Sequence, residues 1–127
     1  MKPLRVLVVE DDLMIGPLLA EVLEDLGHVV IAVVVDADGA VAAARDCRPD
    51  LMIVDINLAE RSGVAAVKEI LRDGFVPHVF VTGDLLSNLD FGPDAVLIQK
   101  PYRQADIVVA IARVIDAASK REQTPLV

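Results

Sequence analysis

Cysteine is nearly absent: Cys47 is the only one in 127 residues. An internal disulfide is therefore excluded, and a reducing compartment is implied. Histidine is almost as scarce, and with only His28 and His78 beside that lone thiol a zinc cluster has nothing to build on. Each histidine opens an apolar run and has no carboxylate partner nearby in sequence, so both read as structural. Bases are outnumbered, 12 Lys and Arg against 20 Asp and Glu, for a formal net charge of −8. That sign opposes a nucleic-acid or anionic-membrane surface, because phosphate groups are held by basic patches. Long hydrophobic runs are missing too. VVIAVVV at 29–35 falls far short of the roughly 20 residues of a membrane helix. The N-terminal MKPLRVLVVEDD turns acidic soon after its apolar run and has no small-residue cleavage site, so no signal peptide and a cytoplasmic address are expected. No Gly-rich turn follows that run, which argues against a dinucleotide or flavin domain.

Short apolar runs alternating with amphipathic segments are what the chain does have. Hydrophobic residues make up 54% and charged ones 25%, a globular composition of a length suited to one core. Strand-like runs lie at 4–9, 28–35, 51–55, 78–82 and 95–99. Between them come helical segments. Ile15, Leu18, Leu19, Val22, Leu23 and Leu26 recur at three and four spacing up to Gly27. Pro17 in the first turn means that this helix starts late or kinks there. An alanine-rich helix covers 37–45, and 62–74 puts Val64, Val67, Ile70 and Leu71 on one face before Gly74 caps it. Between the fourth and fifth strands only Leu85 to Phe91 could be helical, so that helix is short or frayed. The last helix carries an apolar stripe of Ile107, Val108, Ile111, Val114, Ile115 and Ala118. The alternation implies an α/β domain over 1–119, (βα)5 and doubly wound, with a flavodoxin-like five-stranded parallel sheet of order 2-1-3-4-5. Residues 120–127 read as a flexible C-terminal tail.

In an open parallel sheet, functional groups gather beyond the carboxyl ends of the strands. Those ends are Glu10-Asp11 after the first strand, Asp55 after the third, Thr82 after the fourth and Lys100 after the fifth. Three carboxylates, a hydroxyl and an ammonium would share one crevice. Carboxylates about 4 Å apart repel by roughly 4 kcal/mol per pair at an effective dielectric of 20, and one lysine cannot balance three. Raised pKa values or a divalent cation must relieve the charge, and an all-oxygen donor set suits Mg²⁺. Asp55 ends an apolar run, LMIVD, where an unpaired charge would be costly. It is expected at the exposed rim of its strand, with a metal and Lys100 as partners. Such a site can accept a phosphoryl group, because a carboxylate attacking phosphorus forms an acyl phosphate.

Over about residues 3–118 the chain resembles the receiver domain of two-component response regulators. The resemblance rests on the Glu10-Asp11 pair, the DxxL…G stretch from Asp55 to Gly63, Thr82-Gly83, and Lys100-Pro101-Tyr102. It implies Asp55 as phosphate acceptor, Asp11 as a metal ligand, Glu10 as an acid reaching Mg²⁺ through water, and Asn57 as a backbone-carbonyl ligand. It implies Thr82 as the switch hydroxyl and Lys100 as partner of carboxylate and phosphate, with a cis bond from Lys100 to Pro101. Asp84 and Asn57 stand where the family tunes hydrolysis, and Asp12 is an extra acid suited to capping the first helix. The chain departs from the family at Leu97, where receivers usually carry Tyr or Phe, and at Ala59, where Pro is common. Phe80-Val81-Thr82-Gly83 and the missing aromatic are similar to a group of stand-alone alphaproteobacterial receivers.

The function implied is that of a single-domain response regulator, not an enzyme beyond its own phosphorylation and slow dephosphorylation. A histidine kinase or histidine phosphotransfer protein would supply the phosphoryl group. Output would pass to an unknown protein without direct nucleic-acid or membrane contact, from a monomer or a weak dimer through the face of the fourth and fifth strands. The sequence leaves two rivals open. One is a degenerate receiver that docks without phosphorylation. The other is an aspartyl phosphatase, which usually presents Asp-x-Asp where this chain has Asn57 as the second residue.

Overall fold

The computed structural model describes residues 2–83 and 90–122. Five strands are present: β1 (Arg5–Val9), β2 (Val29–Val34), β3 (Leu51–Asp55), β4 (His78–Thr82) and β5 (Val96–Gln99). Four helices accompany them among the described residues: α1 (Ile15–Asp25), α2 (Ala37–Cys47), α3 (Gly63–Leu71) and α4 (Gln104–Glu122). The strands are all parallel, in the order β2-β1-β3-β4-β5. The expected doubly wound sheet is thus observed. The segment Leu85 to Phe91, assigned a short or frayed helix from the sequence, lies outside the described residues apart from Asp90 and Phe91, which are not helical.

Alternation along each strand divides the core into two layers. Leu7, Val9, Met52, Val54 and Phe80 point to the side covered by α2 and α3. Val6, Val8, Leu51, Ile53, Val79 and Val81 point to the side covered by α1 and α4. Every residue of β3 and β4 is buried, as expected for interior strands of a sheet covered on both faces.

Local signals explain the element ends. Helix α1 begins at Ile15, so Pro17 falls within the first turn, where its missing N–H has no helical partner to lose. The cap comes from Asp12, whose Oδ1 accepts from Met14 N (2.8 Å) and Ile15 N (3.1 Å). Asp36 caps α2 by accepting from Gly39 N, and Ser62 caps α3 by accepting from Val64 N. At the end of α2, Arg48 adopts the left-handed conformation (φ 46°), and the Arg5 guanidinium donates to the carbonyls of Arg48 and Cys47. Both histidines are structural, as their sequence setting indicated. His28 Nδ1 accepts from Leu4 N, and His78 sits buried between the rings of Phe75 and Phe80.

Two sequence expectations need correction here. Helix α4 continues to Glu122, so 120–122 are helical rather than part of a tail; Lys120 pairs with Asp116 one turn back and Arg121 with Asp94. Residues 123–127 lie outside the described residues. Val108, counted in the apolar stripe, is exposed, and the buried face of α4 runs instead through Ile107, Ala110, Ile111 and Val114. Among the described residues no helix is long and apolar enough to cross a membrane.

Candidate functional site

The ends of β1, β3 and β5 meet because β1 lies beside β3 and the β5 end is tied back through β4. Lys100 N donates to Thr82 O (2.7 Å), Ile56 N to Val81 O (3.0 Å) and Glu10 N to Val34 O (2.9 Å). These bonds extend the ladders past the strand ends and fix where the polar residues emerge. Glu10, Asp11 and Asp55 each offer a carboxylate oxygen within 4.8 Å of the others. Lys100 Nζ donates to Glu10 Oε1 at 3.0 Å and to Asp55 Oδ2 at 3.2 Å. The Lys100–Pro101 peptide bond is cis, as the resemblance implies. Thr82 ends β4, and it is buried. Asn57 follows two residues after Asp55, and its backbone N–H donates to Asp55 Oδ1 at 3.0 Å. Asp84 lies outside the described residues.

Burial differs sharply among the acids. Glu10 is 4% exposed and Asp55 5%, whereas Asp11 faces solvent. The expectation that Asp55 sits at an exposed rim is therefore corrected. It is tolerated in the interior because each of its oxygens has a donor, Asn57 N–H on one side and the Lys100 ammonium on the other.

Glu10 carries the electrostatic strain. Burial, together with the neighbouring Asp55 carboxylate, pushes its pKa up from 4.5 to about 7, against the opposing pull of Lys100 and of the Asp12 N–H. Burial alone would lower Lys100, but its hydrogen bond to Glu10 and the charges of Asp55 and Glu10 outweigh it and raise the ammonium above its ordinary value. The Tyr102 hydroxyl is raised by burial and then by the charge of Glu10, which puts this ring within the field of the cluster. Asp12 is held below its ordinary value by the two N–H groups it caps, so it belongs to α1 rather than to the acid cluster.

Sequence reasoning left one part of this region unread. Tyr102, Pro101, Lys100 and Gly83 border a cavity of about 470 Å³ whose other wall is α1, through Ile15, Leu18, Leu19 and Val22. Leu13 (78% exposed) and Met14 (74%), which precede α1, are large apolar side chains open to solvent. The available signal was the apolar Ile15, Leu18, Leu19 and Val22 together with the single tyrosine, Tyr102, after Pro101.

The family model of the response regulator receiver domain matches residues 6–112. The chain belongs to this family. The transcriptional regulatory protein PdtaR of Mycobacterium tuberculosis is 35% identical over 114 residues, 86% of this chain and 55% of the relative. The DNA-binding response regulator MtrA of Mycolicibacterium smegmatis is 32% identical over 126 residues, 95% of this chain and 53% of the relative. This receiver chain thus spans about half the length of the curated relatives it matches. Among solved structures, the response regulator PhyR from Brucella abortus superposes with a TM-score of 0.81 at 28% identity, covering 94% of this chain and 51% of that one. The receiver domain of PhyR from Erythrobacter litoralis gives 0.77 at 26% identity, covering 91% and 92%. These PhyR neighbours fit the subgroup likeness drawn from Phe80 to Gly83. Receiver domains take part in phosphorylation-based signalling with histidine kinases and output partners, are not classical enzymes, and generally bind Mg²⁺ through an acidic pocket.

Proposed function

We propose that this receiver accepts a phosphoryl group on Asp55 from a histidine kinase or a histidine phosphotransfer protein. The observation that supports it most is the shared lysine: one ammonium between a buried acceptor carboxylate and a second buried acid, beside a third acid open to solvent. Three acids against one base leave unmatched negative charge, and Glu10, raised first by burial, is raised further by the adjoining Asp55 carboxylate. An all-oxygen donor set with that excess fits Mg²⁺. Asp11, Asp55 and the Asn57 carbonyl would hold the ion, with Glu10 reaching it through water. Bound there, Mg²⁺ would neutralise charge on the phosphoryl oxygens.

The protein's own groups account for the rest. An Asp55 oxygen attacks phosphorus, the P–O bond forms, and the bond from phosphorus to the donor imidazole nitrogen breaks; that nitrogen keeps the electron pair. The Asn57 N–H holds Asp55 Oδ1, leaving Oδ2 facing Lys100. Lys100 then has a phosphoryl oxygen to bind in place of the carboxylate charge, and the Thr82 hydroxyl at the end of β4 moves to a second one. Asn57 and Asp84 tune the later hydrolysis. A receiver domain that runs to the end of α4, a cytoplasmic address, an output protein contacted through the β4–β5 face, and a monomer or weak dimer complete the proposal.

Incubation with acetyl phosphate and Mg²⁺ followed by intact mass tests it. The native chain should gain one phosphoryl group and Asp55→Asn none. No gain by the native chain would favour a receiver that only docks.

A further inference from the structure

The chain closes on itself just after the acceptor. Asn57 forms an antiparallel bridge with Ser62, Gly63 N donates to Ile56 O at 2.8 Å, and Ser62 caps the helix that starts at Gly63. The first residue of α3 therefore lies directly against the last residue of β3. A Cβ at Gly63 would fall 2.1 Å from the carbonyl oxygen of Asp55, 3.0 Å from its carbonyl carbon and 2.9 Å from Val54 Cγ1. Ordinary contact begins near 3.4 Å, so the backbone would have to part by more than 1 Å. The obstacle is backbone, which cannot rotate aside as a side chain can. Nor is glycine needed here for its dihedral freedom, since Gly63 is not among the positive-φ glycines Gly27, Gly74 and Gly92.

We infer that Gly63 is a positioning residue for the acceptor: its missing side chain lets α3 and the 57–62 loop close tightly enough to hold the Asp55 carboxylate in its reactive orientation. The link runs through three hydrogen bonds. Gly63 N–H fixes Ile56, Ile56 N–H is fixed in turn by Val81 O, and the next N–H, from Asn57, holds Asp55 Oδ1. With Oδ1 held, Oδ2 is the oxygen presented to Lys100. The opening forced by a methyl group would relax the loop and let the carboxylate turn. A misplacement of about 1 Å at a reacting group can lower a rate by roughly 100-fold.

The inference rests on Asp55 as acceptor, and the test separates the two. Native chain, Gly63→Ala and Asp55→Asn are incubated with Mg²⁺ over a range of acetyl phosphate concentrations, with folded content checked by circular dichroism. Gly63→Ala should lose about 10- to 100-fold in maximal phosphorylation rate while its half-saturating acetyl phosphate concentration stays within about twofold. A purely structural glycine would lower the melting temperature and leave the rate of the folded fraction unchanged, which overturns the inference but leaves the acceptor intact. A native chain that is not phosphorylated overturns both. Should Gly63→Ala not fold, amide exchange in the native chain decides: slow exchange at Gly63 and Asn57 supports a closed loop, and open-chain rates at both overturn it.

Discussion

Glu10 is the residue whose chemistry is most displaced from the ordinary, and a sign follows from that. With a pKa near 7 in the folded chain against 4.5 when exposed, Glu10 holds a proton in the fold that it releases on unfolding between those values. The unfolded state then binds fewer protons, so stability is fully present below about pH 4.5 and falls as pH rises towards 7. The total loss is roughly 3 kcal/mol. Metal-free protein followed by urea denaturation from pH 5 to 8 should show this decline, and Glu10→Gln should remove most of it. A native profile that rises across this window would contradict the placement of Glu10. Lys100 makes the complementary prediction. Lys100→Met leaves two buried acids without their cation and should destabilise metal-free protein at pH 8 by about 3 kcal/mol, measured by the same denaturation. Glu10→Gln in that background should recover part of the loss, because it removes one of the two charges.

At the scale of elements, the strands were readable because β-branched runs stood between turn residues; LMIVD coincides with β3 and HVFVT with β4. Their polar ends were readable too, because the parallel topology places them at one edge. The depth of Asp55 was not, since it depends on Lys100, 45 residues further along the chain. The close approach at Gly63 is likewise invisible in sequence, where a glycine after serine reads only as a helix start. The end of α4 is not legible because polar SKRE looks like a tail, whereas Lys120 and Arg121 are helical and pair with Asp116 and Asp94. The caps are testable parts of these elements. Asp36→Ala removes the acceptor of Gly39 N at the start of α2 and should cost about 1 kcal/mol in thermal denaturation without altering phosphorylation. Loss of phosphorylation with that variant would show the α2 end to be coupled to the site.

For the whole molecule, charge and topology work together. A chain of net −8 concentrates three of its acids at one sheet edge, where the fold's only compensation among the described residues is Lys100. Divalent cation should therefore stabilise the native state by mass action, raising the melting temperature with Mg²⁺ concentration. The rise should be steeper at pH 8 than at pH 6, since binding at the lower pH must first displace the Glu10 proton. Monovalent salt at matched ionic strength should not reproduce it. An equal response to both salts would mean general screening rather than a site.

The measurement that bears most directly on the central claim is chemical trapping of the acyl phosphate. Protein treated with acetyl phosphate and Mg²⁺ is reduced with borohydride, which converts a phosphorylated aspartate to homoserine, and the peptides are mapped by mass. The account predicts conversion at position 55 alone, dependent on Mg²⁺. Conversion at another aspartate, or none at any, would contradict it.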